Sequence, residues 1–121
     1  MLAKLLGLKA EGKFEEYIQQ FNHDLQTEYN IELEKLLGLN DDEFIAHLNA
    51  SAYSPEMLNA LSQMLYVFAQ PFEVDDETGL ILRKVLVIFD FLEQNHHFQS
   101  FENIDKRNII YKHFNTIHAR S

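Results

Sequence analysis

Cysteine is absent from the 121 residues of this chain, and only four residues are glycine. The first absence excludes disulfide bonds, thiolate zinc sites, iron–sulfur clusters and cysteine nucleophiles. None of the glycines lies in a phosphate loop, which excludes a P-loop or a dinucleotide fingerprint. No serine lies in a G-x-S-x-G elbow. The sequence therefore favours a non-enzymatic protein without a cofactor, and an enzyme remains the alternative.

Long hydrophobic runs are missing as well. The most apolar stretch, residues 79–92, is interrupted by Arg83, Lys84 and Asp90. It is too short and too charged to span a bilayer. The first residues have neither the long apolar run nor the cleavage site of a signal peptide. We therefore expect a cytoplasmic protein with no membrane segment.

Basic residues are scarce, and their distribution is uneven. The net charge is −9, residues 11–79 hold fifteen acids against two bases, and no Lys or Arg occurs between residues 36 and 82. An acidic surface repels phosphate backbones, which disfavours nucleic acid as a partner. A well-solvated surface would explain the acids, and so would a docking face for a basic protein.

Apolar residues recur every three or four positions in most of the chain, which is the period of a helix. The spacing predicts helices over residues 13–37, 40–49, 54–70 and 104–118. Asn30 is a candidate break in the first of these helices. We expect Gly38 to end that helix in the left-handed conformation. Ser54 and Pro55 form the clearest start signal, a capping hydroxyl followed by proline in the first turn. A short N-terminal helix is predicted from Leu2, Leu5, Leu6 and Leu8.

Residues 80–92 are hydrophobic on nearly all sides, which predicts a central helix over residues 80–97. Residues 71–79 before it are expected to form an acidic loop. Because β-branched residues are frequent here, a hairpin within residues 72–92 is the alternative. We favour the helix, since the run continues to about residue 97 without Gly or Pro. The predicted fold is a single all-α domain over residues 1–121, a bundle of five to six helices.

The first candidate site is an acidic face that would bind a basic partner protein. Its residues are Asp41, Asp42, Glu43, Asp75, Asp76 and Glu77. Electrostatic steering suits such a role. Self-association into a homodimer through part of the residue 80–92 helix is another version of the interaction hypothesis.

The alternative site is polar and would bind a metal or a small ligand. It comprises Asp90, Glu93, His96 and His97, and includes the E-x-x-H spacing of di-iron bundles. Such bundles need a second E-x-x-H pair, which this sequence lacks, so no metal is predicted. Asp90 either shares an exposed strip with Arg83 or is a buried carboxylate with a raised pKa that marks a cleft.

Overall fold

The computed structural model describes residue 7 and residues 9–120, with side chains described as far as residue 117. Over residues 13–120 the structure contains six helices and no strand. They are α1 (Phe14–Tyr29), α2 (Leu33–Gly38), α3 (Asp41–Ser51), α4 (Pro55–Ala69), α5 (Asp76–His96) and α6 (Phe101–Arg120). The predicted all-α class is confirmed, and the alternative hairpin within residues 72–92 is wrong. The predicted helix of Leu2, Leu5, Leu6 and Leu8 lies outside the described residues.

The helices divide into two units, Met1–Asn40 and Asp41–Ser121. In the first unit, α1 buries Tyr17, Phe21, Leu25 and Tyr29, which lie four residues apart on one helix face. The single domain over residues 1–121 stays a prediction.

The helix predicted over residues 13–37 is in fact two helices. Asn30 adopts the left-handed conformation, with φ of 53°, and its N–H donates to the carbonyl of Gln26 at 3.0 Å. Asparagine enters this region more readily than most residues, which explains the break. The left-handed terminator predicted at Gly38 is wrong. Gly38 is the last residue of α2, and Leu39 continues in an extended conformation.

The start of α4 confirms the start signal predicted at Ser54 and Pro55. The Ser54 hydroxyl accepts a hydrogen bond from the N–H of Met57 at 3.1 Å, and Pro55 is the first helical residue. The helix ends at Ala69, one residue before the Gln70–Pro71 bond. Proline after the end is expected, because it cannot continue the hydrogen-bond ladder.

The helix α5 is the centre of the second unit, since it contacts α3, α4 and α6. It begins at Asp76, earlier than the predicted residue 80, and the acidic loop is correspondingly shorter. The cause is Asp75, whose carboxylate caps the helix by accepting the Thr78 N–H at 2.7 Å. The apolar side chains of α5 are mostly buried: Ile81, Leu82, Val85, Ile88, Phe89, Phe91 and Leu92.

The last helix also begins earlier than predicted. The Ser100 hydroxyl accepts the N–H of Asn103 at 3.1 Å, so α6 starts at Phe101 rather than near residue 104. Along this helix Ile110 is fully buried, whereas Phe101, Ile109 and Tyr111 are exposed. The helix α6 therefore presents a large part of its surface to solvent.

Candidate functional site

The two groups of acidic residues lie at the N-terminal ends of two helices. Asp41, Asp42 and Glu43 form the first turn of α3, and all three are exposed. Carboxylates at this end interact favourably with the helix dipole. These residues therefore stabilise the start of α3 and still present their charges to solvent.

The second acidic group lies at the start of α5. Asp76 and Glu77 occupy the first turn, and Asp75 precedes them as the cap. Hydrogen bonds from Thr78, chiefly from its backbone N–H, lower the pKa of Asp75. All three side chains are exposed, so capping does not remove their charge from the surface.

A groove runs along α5 between α3 and α6. Two adjoining hollows form it, and both are lined by Asp41, Val87 and Asp90. The hollow towards α6 has a volume of about 360 Å³ and is also lined by Arg83, Leu86, Tyr111 and Phe114. The hollow towards α3 has a volume of about 230 Å³ and is also lined by Ile45, Phe91, Gln94 and Asn95. Apolar and charged side chains thus both form the groove.

Asp90 lies in this groove and is not buried. Its side chain is 57% exposed, and its Oδ1 accepts a hydrogen bond from Nη2 of Arg107 at 3.0 Å. The hypothesis of a buried carboxylate is therefore wrong. Arg83 is exposed and lines the same groove, in agreement with the exposed strip. The cation that pairs with Asp90, however, comes from α6.

Glu93 binds the same arginine as Asp90. Nη1 of Arg107 donates to its Oε1 at 2.8 Å, and this bond is the main reason why the pKa of Arg107 is raised. The guanidinium carbon of Arg107 also lies 5.8 Å from the centroid of the Phe89 ring. Two carboxylates of α5 thus fix one cation of α6. We refer to Asp90, Glu93 and Arg107 as the Arg107 clamp.

The histidines of the predicted polar site lie beyond the clamp, at the end of α5. The ring of His96 packs against Phe91, with centroids 5.8 Å apart. His97 terminates the helix in the left-handed conformation. In the described part of the chain, no three His, Asp or Glu side chains are arranged to hold a metal ion. The structure therefore groups Asp90 with Glu93, and the role of the four residues as a ligand site remains a prediction.

His47 is a further histidine, and it has two hydroxyl neighbours. Nε2 of His47 lies 3.3 Å from the Tyr53 hydroxyl and 3.5 Å from the Ser51 hydroxyl. The Ser51 hydroxyl donates its hydrogen at 2.6 Å to the backbone carbonyl of His47. An activated serine needs its proton directed at a base. Ser51 is therefore not arranged as an activated serine. It lies at the end of α3, and its hydroxyl bonds back to the preceding turn.

Lys84 interrupts the apolar run and yet is buried, which the sequence does not predict. Only 2% of its surface is exposed, and its Nζ lies 5.6 Å from the centroid of the Phe44 ring. Burial lowers its pKa, and the nearby charge of Asp41 partly opposes that effect. No local signal could have revealed this, because lysine is rarely buried.

Sequence reasoning also missed a network of amide side chains between α4 and α6. Nδ2 of Asn103 donates to Oδ1 of Asn59 at 2.9 Å, and Nε2 of Gln63 donates to Oδ1 of Asn103 at 3.0 Å. Asn103 is buried. The bonds join residues at least 40 positions apart in the chain, so no spacing in the sequence indicates them. The network fixes the start of α6 on α4.

Comparisons with protein-family models, curated proteins and solved structures gave no match to this chain. None of the helices in the described part of the chain is long and apolar enough to cross a membrane.

Proposed function

We propose that this chain is a protein-interaction module that binds a basic partner protein through its acidic face. The observation that supports the proposal is the exposure of all six carboxylates at the starts of α3 and α5. Helix capping and the helix dipole explain why acids occur at these positions. They do not explain why the chain has no Lys or Arg from residue 36 to residue 82.

The charge distribution gives the partner its chemistry. A concentrated negative potential attracts a cationic surface from a distance and raises the rate of productive encounter. Nucleic acid would be repelled by the same potential. The partner is therefore a protein with clustered Lys or Arg side chains, and binding weakens as salt screens the charges.

The test compares two variants with equal net charge. Asp41→Asn, Asp42→Asn and Asp76→Asn together neutralise half of the acidic face and leave the Asp75 cap in place. The control carries Glu15→Gln, Glu28→Gln and Glu34→Gln, three exposed positions of α1 and α2. Both variants lose three negative charges, so a difference between them reports the location of the charge.

The tagged proteins would be used to capture binding proteins from a lysate of the source organism, and the affinity for a captured basic protein would then be measured. We expect the acidic-face variant to bind at least about tenfold more weakly, since each exposed charge contributes up to about 1 kcal/mol. The control should bind like the wild type. Equal affinity of all three proteins, or binding that is independent of salt, would contradict the proposal.

A further inference from the structure

We infer that the groove between α3, α5 and α6 docks an amphipathic helix of the partner, with a Lys or Arg side chain placed between Asp41 and Asp90. The inference rests on the proposed function and adds the binding mode. It concerns only the second unit, since every residue that lines the groove belongs to Asp41–Ser121.

The floor of the groove is a strip of α5 whose side chains are exposed or half-buried. Arg83, Val87, Asp90 and Gln94 follow at steps of three or four residues, so they lie along one face of the helix. The other faces of α5 bury its apolar side chains. A central helix with one open strip between two flanking helices is the arrangement in which helix-in-groove recognition occurs.

Apolar side chains on both walls remain accessible. Ile45 of α3 is 38% exposed, and Tyr111 of α6 is 46% exposed. Leu86, Val87 and Phe114 are half-buried between them. An apolar helix face placed here would remove this surface from water, which favours binding.

The charges in the groove define the polar side chain of the ligand. In the hollow towards α3, the charged lining residues are the two carboxylates Asp41 and Asp90. A Lys or Arg side chain could lay its aliphatic part on Val87 and direct its cation to these carboxylates. Arg107 binds Oδ1 of Asp90, which leaves the second oxygen of that carboxylate to accept a further donor.

Arg83 restricts the ligand further. It is exposed in the hollow towards α6, where a second cation of the ligand would be repelled. A uniformly polybasic segment is therefore a poor fit. The ligand that fits has apolar residues at helical spacing and one or two basic residues on one side.

The probe is a synthetic helical peptide with leucines at positions i, i+3, i+4 and i+7 and two lysines on one side of that apolar face. A scrambled peptide of the same composition serves as the control for charge. The variant Ile45→Ser removes an apolar wall of the groove. Leu80→Ser is its matched control, because Leu80 is 40% exposed on α5 and does not line either hollow.

We expect Ile45→Ser to weaken peptide binding about tenfold, which corresponds to the loss of about 1.4 kcal/mol of apolar contact. Leu80→Ser should leave the dissociation constant unchanged. Asp41→Asn should weaken binding and reduce its salt dependence, and the scrambled peptide should bind more weakly than the helical one.

Equal effects of Ile45→Ser and Leu80→Ser would overturn the inference, and so would equal binding of the scrambled peptide or no saturable binding at all. If the scrambled peptide binds equally and still depends on Asp41, Asp42 and Asp76, the acidic face remains supported and only the groove fails. If neither the peptides nor the captured basic protein respond to those variants, the proposed function fails as well. A dimeric mass that the peptide reduces to a monomeric one would make a second copy of the chain the occupant and would overturn the inference.

Discussion

The Arg107 clamp gives a prediction whose size follows from the geometry. The contact between α6 and α5 is less extensive than the contact between α4 and α5. Arg107 joins α6 to α5 through two carboxylates and one aromatic ring. We predict that Arg107→Met, which keeps a long aliphatic side chain, lowers the free energy of unfolding by about 2 kcal/mol. The perturbation removes the charge and leaves most of the packing.

Three contributions make up this value, and they differ in size. The bond to Glu93 is short, at 2.8 Å, and joins side chains only 18% and 30% exposed, so it contributes about 1 kcal/mol. The bond to Asp90 reaches a carboxylate that is 57% exposed and contributes about 0.3 kcal/mol. The Phe89 ring adds about 0.5–1 kcal/mol through its interaction with the guanidinium.

The measurement is urea unfolding followed by circular dichroism. The control is Lys112→Met on the same helix, which is exposed and should change the stability by less than about 0.5 kcal/mol. Glu93→Gln should cost more than Asp90→Asn, and a double-mutant cycle between Arg107 and Glu93 should show coupling. If Arg107→Met and Lys112→Met have equal effects, or if Asp90 couples more strongly than Glu93, the reasoning is refuted.

Three further predictions follow from local contacts. Ser54→Ala should destabilise the chain by about 1 kcal/mol because α4 loses its capping hydroxyl, and Ser54→Asp should restore most of that loss in thermal unfolding. Asn103→Ala should cost about 1–3 kcal/mol, since it removes the hydrogen bonds that the buried Asn103 side chain forms with Asn59 and Gln63. An equal effect of Asn108→Ala, at an exposed position of α6, would contradict that assignment. Burial raises the pKa of Tyr17 to about 12 from its ordinary value of 10.0, so its contribution to stability is complete below pH 10 and is lost as the pH rises from 10 towards 12. Tyr17→Phe should show a smaller loss of stability over that range, and an identical pH profile would refute the assignment.

The features that sequence could predict are those that depend on neighbours in the chain. Ser54 and Pro55 start α4 because a cap and its first turn lie within four residues. The apolar run after residue 79 predicts a central helix because its apolar residues would lie on nearly all sides of the helix, not on one face. The left-handed residue at the end of a helix was harder to predict. Asn30 and His97 adopt that conformation, whereas Gly38 does not.

The features that sequence could not predict depend on contacts between distant residues. Arg107 is 17 positions from Asp90, so its helix had to be placed before the pair could be recognised. Lys84 is charged and buried, contrary to the ordinary tendency of lysine. The groove depends in the same way on how α3 and α6 lie along α5. The six acidic residues could be named from sequence, but the groove that shares Asp41 with them could not.

The central claim is that a basic protein binds at the starts of α3 and α5. The most direct test is to record backbone amide chemical shifts of the whole chain while a captured basic partner is added. We expect the largest changes at Asp41–Glu43, at Asp75–Glu77 and along the groove at Ile45 and Val87, and we expect salt to reverse them. Changes confined to α1 and α2, or centred on Glu93, His96 and His97, would contradict the account.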